Sequence, residues 1–318
     1  MKRFLALLFA VLMVLSMAAC GAAGNDGKYV IGICQIQPHT ALDAATQGFK
    51  DALIEEFGKD KLVFKERDAA GDPTTCDTIM DTFVADNVNL ILANATPPLQ
   101  SARNKTATIP ILGTSVTDYV TALNIKDFNG TVGGNISGTT DLAPLNEQAQ
   151  MIIDLFPTAT KVGLLYCSAE PNSVYQITEV KKYLEAKNIT CAEYAFTDAN
   201  DLTSVTQTAC DNSDVIYIPT DNTAATYAET IGNVVKAAKK PVIAGEAGIC
   251  KGCGVATLSI DYYDLGYMTG QMAAKILKGE ADISTMPIQS APKFTKMYNQ
   301  EICQLLDINI PSDYVAIS

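Results

Sequence analysis

Tryptophan is absent, histidine occurs once, and arginine appears only three times along the 318 residues. Each shortage removes a class of function. With His39 as the only imidazole, a Ser-His-Asp or Cys-His arrangement would have to use it, and no Gly-x-Ser-x-Gly elbow accompanies it. Hydrolysis is therefore not indicated. Arg3, Arg67 and Arg103 are too few to track a phosphate backbone, and a formal net charge of −12 repels one. Nucleic acid is not an expected partner. The cluster Gly130-Thr131-Val132-Gly133-Gly134 lacks the Gly-Lys-Ser/Thr ending of a nucleotide-binding loop, and no cofactor or metal is expected. Beyond the amino terminus no apolar run reaches membrane-spanning length.

What is present begins with a leader. Lys2 and Arg3 precede the apolar run from Phe4 to Leu15, which ends in Ser16-Met17-Ala18-Ala19-Cys20-Gly21. That pattern reads as a secretory signal over 1–19, and small residues before a cysteine resemble a bacterial lipobox. Cys20 is the expected acylated terminus and 20–28 a short tether, which places the protein outside the cytoplasm, lipid-anchored to the bacterial cell membrane. With 48% hydrophobic and 18% charged residues, the remainder is expected to fold. Its length favours two domains.

From Tyr29 onward strand-like and helix-like stretches alternate, which implies parallel sheets covered by helices. Tyr29 to Gln35, Leu62 to Lys65, Val88 to Ala93 and Ile109 to Gly113 read as strands; Thr131 to Ile136 reads as extended. The alternation then restarts from Lys161, through Val215 to Ile218 and a helix from Ala224 to Ala238. The expected architecture is α/β with two similar halves. Strands end in polar loops such as Pro219-Thr220-Asp221-Asn222, and in open α/β sheets such edges collect ligands because free N–H groups and helix dipoles converge there.

The motifs Ile31-Gly32-Ile33, Ala41-Leu42-Asp43-Ala44-Ala45, Ala95-Thr96-Pro97, Thr114-Ser115-Val116-Thr117-Asp118, Glu170-Pro171-Asn172-Ser173, Pro219-Thr220-Asp221-Asn222, Ala244-Gly245-Glu246 and Asp261-Tyr262-Tyr263 together resemble the substrate-binding lipoproteins of ABC transporters related to tryptophan-type binding proteins. The resemblance implies a type I periplasmic-binding-protein fold, two Rossmann-like lobes joined by three crossovers and closing like a Venus flytrap. It places 29–138 with 262–290 in the first lobe and 139–261 with 291–318 in the second. The implied role is delivery of a solute to ABC permease subunits by a monomeric, non-enzymatic receptor.

Loops at the expected strand ends carry Asp118, Asp141, Glu170, Asp221, Glu246 and Asp261 and no arginine. Buried carboxylates need positive partners or donors, so a ligand bearing an amino group fits, whereas phosphate or a dicarboxylate would want arginine forks. Thr96, Ser115, Thr117 and Asp118 from the first lobe, with Glu170, Asn172, Ser173, Asp221, Asn222 and Glu246 from the second, are the candidate contacts. An amino acid is the simplest such ligand, its ammonium toward Asp221 or Glu246. Asp221 and Thr96 also suit plain helix caps. A nucleoside or sugar binder, or a ligand-sensing lipoprotein, would keep the same fold.

Setting Cys20 aside, eight cysteines remain, and Cys250-Lys251-Gly252-Cys253 is the one CxxC. A local disulfide or a free pair in a turn is expected there; a redox pair would make the chain a thiol-disulfide lipoprotein. Metal is disfavoured, because no second CxxC or nearby histidine completes four ligands.

Overall fold

The computed structural model describes residues 27–317. The expected signal sequence, Cys20 and the expected tether as far as Asp26 lie outside the described residues. Among the described residues no helix is long and apolar enough to cross a membrane.

Two sheets organise the chain. The first contains β1 (Tyr29–Gln35), β2 (Leu62–Asp68), β3 (Leu90–Asn94), β4 (Ile111–Val116), β5 (Ile136–Thr140) and β11 (Gln289–Ser290), in the order β11-β5-β4-β3-β1-β2. All its pairings are parallel. β1 shows why it sits inside: Ile31 and Ile33 face one apolar cluster and Val30 and Cys34 face another, so both sides are covered. Helices α1 (Thr40–Phe57), α2 (Pro73–Ala85), α3 (Thr96–Lys105) and α4 (Tyr119–Leu123) connect these strands or follow them.

After β5 come α5 (Leu145–Leu155), β6 (Lys161–Cys167), α6 (Pro171–Ala186), β7 (Thr190–Phe196), α7 (Ala199–Asn212) and β8 (Val215–Ile218). Then follow α8 (Asn222–Thr226), α9 (Ala228–Ala237), β9 (Val242–Ala244), α10 (Ala247–Cys253) and β10 (Ala256–Ser259). The second sheet runs β13-β12-β10-β9-β8-β6-β7, with β12 (Thr295–Tyr298) and β13 (Val315–Ala316) at its far edge. Only the β10–β12 pairing is antiparallel. On β8, Val215 and Tyr217 enter one core and Ile216 and Ile218 the other. Alternation along a four-residue strand thus builds both faces at once.

Three segments pass between the sheets: 141–144 after β5, 260–261 before α11 (Tyr262–Leu277), and 291–294 between β11 and β12. The short helix α12 (Gln300–Leu306) lies between β12 and β13. α11 packs along α1 at close range. A Cβ on Gly266 would lie 1.9 Å from the Ala45 carbonyl oxygen, so only glycine permits this spacing. That contact fixes the N-terminal ends of both helices, where His39 and Tyr262 stand.

Three expectations need correction. The extended stretch at Thr131 to Ile136 is instead a turn, because Gly133 and Gly134 take left-handed φ of 84° and 61°; the strand starts at Ile136 and runs through Thr140. The helix expected from Ala224 to Ala238 is two helices divided at Tyr227. The CxxC lies on α10, not in a turn, because the Glu246 carboxylate accepts the amides of Gly248 and Ile249 and starts a helix through the glycines. Both cysteines are free thiols rather than a disulfide, and Cys253 donates to the Ile249 carbonyl at 3.2 Å.

Candidate functional site

The strand tips of the two sheets face one another, and the gap between them is closed by contacts across it. The His39 Nε2 lies 3.3 Å from Asn222 Oδ1, Thr226 Oγ1 donates to the Pro38 carbonyl at 3.4 Å, and Gln176 Nε2 donates to Thr117 Oγ1 at 3.5 Å. Beneath these contacts lies a narrow pocket, lined from the first lobe by His39, Leu42, Ser115 and Thr117 and from the second by Asn172, Thr220, Asp221, Asn222, Ala225 and Glu246. Asp141, on the segment after β5, and Tyr262, the first residue of α11, complete it. Its volume is about 10 Å³, room for roughly one water molecule. A larger solute is admitted only when lobes or side chains move from this arrangement.

The first lobe supplies neutral groups. Ser115 sits where the β4–β5 register shifts, with φ of 53°, a left-handed conformation that costs a serine about 1–2 kcal/mol. Ser115 lines the pocket, and its hydroxyl is buried without a partner among the described residues. Thr117 donates to Asp141 Oδ1 at 3.3 Å, and Tyr262 donates to Asp141 Oδ2 at 2.9 Å. Burial nevertheless pushes the Asp141 carboxyl above its ordinary range. Desolvation lowers the His39 pKa, favouring the neutral ring. If the neutral ring donates from Nε2 to Asn222, Nδ1 is left as a buried acceptor with no partner.

The second lobe supplies acids that are already hydrogen-bonded. Asp221 Oδ1 accepts from the Ala224 amide at 2.8 Å and Oδ2 from the Cys167 amide at 2.7 Å, while Ser173 also hydrogen-bonds it. Burial, with Glu170 beside it, still pushes Asp221 up to about 8. Glu246 accepts the Gly248 amide at 2.6 Å and the Ile249 amide, yet burial, with a smaller push from Asp141, raises it to about 7. Asn172 donates to Glu170 Oε2 and to the Thr220 carbonyl, both at 3.1 Å, so its Oδ1 is left buried and unpaired.

The structure brings Ser115, Thr117, Asn172, Asp221, Asn222 and Glu246 to one pocket, but four other candidates lie elsewhere. Thr96 is buried at the start of α3 and does not line the pocket; Asp118 caps α4 through the Thr121 amide at 2.6 Å. Ser173 is buried and hydrogen-bonds Asp221 without lining the pocket. Glu170 accepts from Asn222, Thr223 and Asn172 and lines a separate cavity, so its carboxylate holds α8 in place. His39, Asp141, Thr220 and Tyr262 line the pocket without having been chosen from the sequence. Burial holds the thiols of Cys250 and Cys253 well above their ordinary value, the opposite of the depressed pKa that redox work requires.

Residues 30–317 match the family model of the ABC transporter substrate-binding proteins. The chain belongs to that family. This substrate-binding protein is 31% identical to a tyrosine-binding protein of Clostridioides difficile strain R20291, over 96% of its own length and 93% of the relative's. It superposes at TM-score 0.85 and 31% identity on a Streptococcus pneumonia structure in complex with L-Trp, covering 90% of this chain and 96% of that one. Against the ligand-free, open structure of a Clostridium difficile substrate-binding protein with adhesive properties, identity is 32% and coverage 91% and 99%, but the TM-score is 0.70. At equal sequence distance the better match is the complex, in keeping with the hydrogen bonds across the cleft. These structures share the type I periplasmic-binding-protein fold, and substrate-binding proteins of ABC transporters work outside the cytoplasm.

Proposed function

We propose that this protein captures a small amino-group-bearing solute, an L-amino acid, between its two lobes and delivers it to the permease of an ABC importer. Lobes of 29–138 with 262–290 and of 139–261 with 291–318 close on the solute, and an acylated Cys20 holds the monomer at the membrane. One observation carries the reading. Of the seven buried side-chain polar atoms without a partner among the described residues, three belong to residues that line the narrow pocket between the lobes: Ser115 Oγ, His39 Nδ1 and Asn172 Oδ1. With neutral His39 donating from Nε2, two of them are acceptors, and they stand among Asp141, Asp221 and Glu246 with no lysine or arginine in the lining.

Closure on nothing would leave those atoms unpaired at about 1–3 kcal/mol each. An ammonium group answers the acceptors and the acids together, while Ser115 and free strand-end amides can hold a carboxylate. The solute thereby gains contacts from both lobes that exist only when they are closed, which is the condition for binding to drive closure. A thermal-shift panel of L-amino acids, nucleosides and sugars tests this. An amino acid at a hundred times its Kd should stabilise the fold by about 2.7 kcal/mol. Stabilisation by a sugar or nucleoside alone would sink the amino-acid reading.

A further inference from the structure

β4 changes phase at Ser115. Ile111 belongs to one apolar cluster and Leu112 to the other, so strict alternation would put Val116 with Leu112. Val116 instead lies with Ile111. The register explains the switch: Gly113 faces Gly138 and Val116 faces Thr140, so two residues of β4, Thr114 and Ser115, stand against Thr139 alone. A serine held at a left-handed φ persists only where its surroundings over-determine it.

Those surroundings form a frame on both faces of the sheet. On one face Tyr119, the first residue of α4, is buried against the facing glycines; a Cβ on either Gly113 or Gly138 would run into its hydroxyl oxygen, and one on Gly113 would also lie 3.2 Å from Val116 Cγ2. Only hydrogen at both positions leaves that slot open. Within it the Tyr119 hydroxyl donates to the Thr139 carbonyl at 3.1 Å, on the one residue that opposes the bulge. On the other face the hydroxyls of Thr139 and of Thr269 on α11 lie 2.8 Å apart, and Thr139 donates to Thr114 Oγ1 at 3.2 Å. Tyr119 itself does not line the pocket.

We propose that Tyr119 is a positioning residue: its hydroxyl, bonded to Thr139 between Gly113 and Gly138, locks the β4 bulge that keeps Ser115 at the pocket wall, and through Ser115 it sets the affinity for the carboxylate that all amino acids share. This rests on the amino-acid reading above. The solute's side chain plays no part in it, so the effect is equal for every amino acid that binds.

Tyr119→Phe keeps the ring and removes only the hydrogen bond. Isothermal titration with each of the common L-amino acids, and hydrogen exchange of the ligand-free protein, decide it. The variant should bind every amino acid that the wild type binds about fivefold more weakly, by the same factor in each, and in a Ser115→Ala background that loss should shrink to within about twofold. Amides of 113–117 should exchange about fivefold faster, while those of β8 keep their rates. Unchanged affinity, whatever happens to the melting temperature, would make Tyr119 ordinary core; a loss that persists beside Ser115→Ala would route its effect elsewhere. Either overturns the proposal and leaves the amino-acid reading intact. Binding of no amino acid overturns that reading, and exchange at the bulge then shows whether Tyr119 holds Ser115 at all: unchanged rates overturn that too.

Discussion

The two lobes present the same local geometry, a strand end running into a helix start, and use it in opposite ways. From the first lobe come neutral side chains with bonding capacity to spare: Ser115 has no partner and His39 keeps a free ring nitrogen. From the second come carboxylates whose oxygens are already occupied by amides of their own lobe, as at Asp221 and Glu246. The second-lobe acids serve two ends, since they hold α8 and α10 in place and also set the pocket's potential. The first-lobe groups serve one. It follows that substitutions should separate by lobe: stability and binding fall together on one side, and binding falls alone on the other.

The largest effect is expected at Asp221. Asp221→Ala strips the cap from α8, orphans the Cys167 amide and removes the negative charge facing the solute. Loss of a buried charged hydrogen-bond partner costs about 2–5 kcal/mol, so affinity should fall at least about thirtyfold. The midpoint of thermal unfolding should fall as well. Titration calorimetry and thermal denaturation on the same preparation check both; an unchanged melting temperature with lost binding would break the contrast between lobes.

Next in size is the response to pH. In the closed cleft Asp221 is raised to about 8 and Glu246 to about 7, so below those values each tends to hold a proton. The sign follows directly. A carboxyl with a raised folded pKa stabilises the closed form at low pH, and that contribution is lost as pH climbs through about 7 and then 8. An ammonium ligand reverses the preference, expelling protons as it binds, so affinity should rise between about pH 6 and 8 and level off above, by up to about tenfold per unit for each proton released. Glu170 beside Asp221, with Asp141 and Tyr262 beside Glu246, hold the window in place, while a lowered pKa keeps His39 neutral through it. Calorimetry in two buffers of different ionisation enthalpy would report the released protons; binding that ignores pH would show the acids to be caps and nothing more.

Much of this was readable from the chain itself. The alternation of apolar strands and amphipathic helices announced two α/β halves, and strand-end position named Ser115, Asn172, Asp221 and Glu246. Direction was harder to read. Asp118 and Asp221 both follow strands and both cap helices, yet only Asp221 also borders the pocket, because one of its oxygens reaches across to the Cys167 amide. Nothing in residue type distinguishes the two. Asp141, read only as a strand-end acid, and Tyr262 were not chosen as contacts for another reason: one stands on, and the other directly follows, a segment that passes between the sheets, and their meeting joins positions 121 residues apart. The one available signal was the acid at the end of β5 paired with a tyrosine opening a helix, a combination too common to single out.

The smallest and most diagnostic effect belongs to Ser115. Its hydroxyl has no hydrogen-bond partner among the described residues, so Ser115→Ala removes no hydrogen bond seen there and relieves a buried polar atom of its desolvation cost. Stability should hold within about 0.5 kcal/mol or rise slightly, while a lost hydrogen bond to the solute's charged carboxylate costs about 1.5–3 kcal/mol, at least tenfold in affinity. Ser115→Gly separates backbone from side chain, because glycine adopts the φ of 53° without strain. It should match the alanine variant in binding and exceed it in melting temperature. A drop in stability of both variants comparable to that of Asp221→Ala would mean that the serine, too, supports its own lobe, and the division of labour between the lobes would fall.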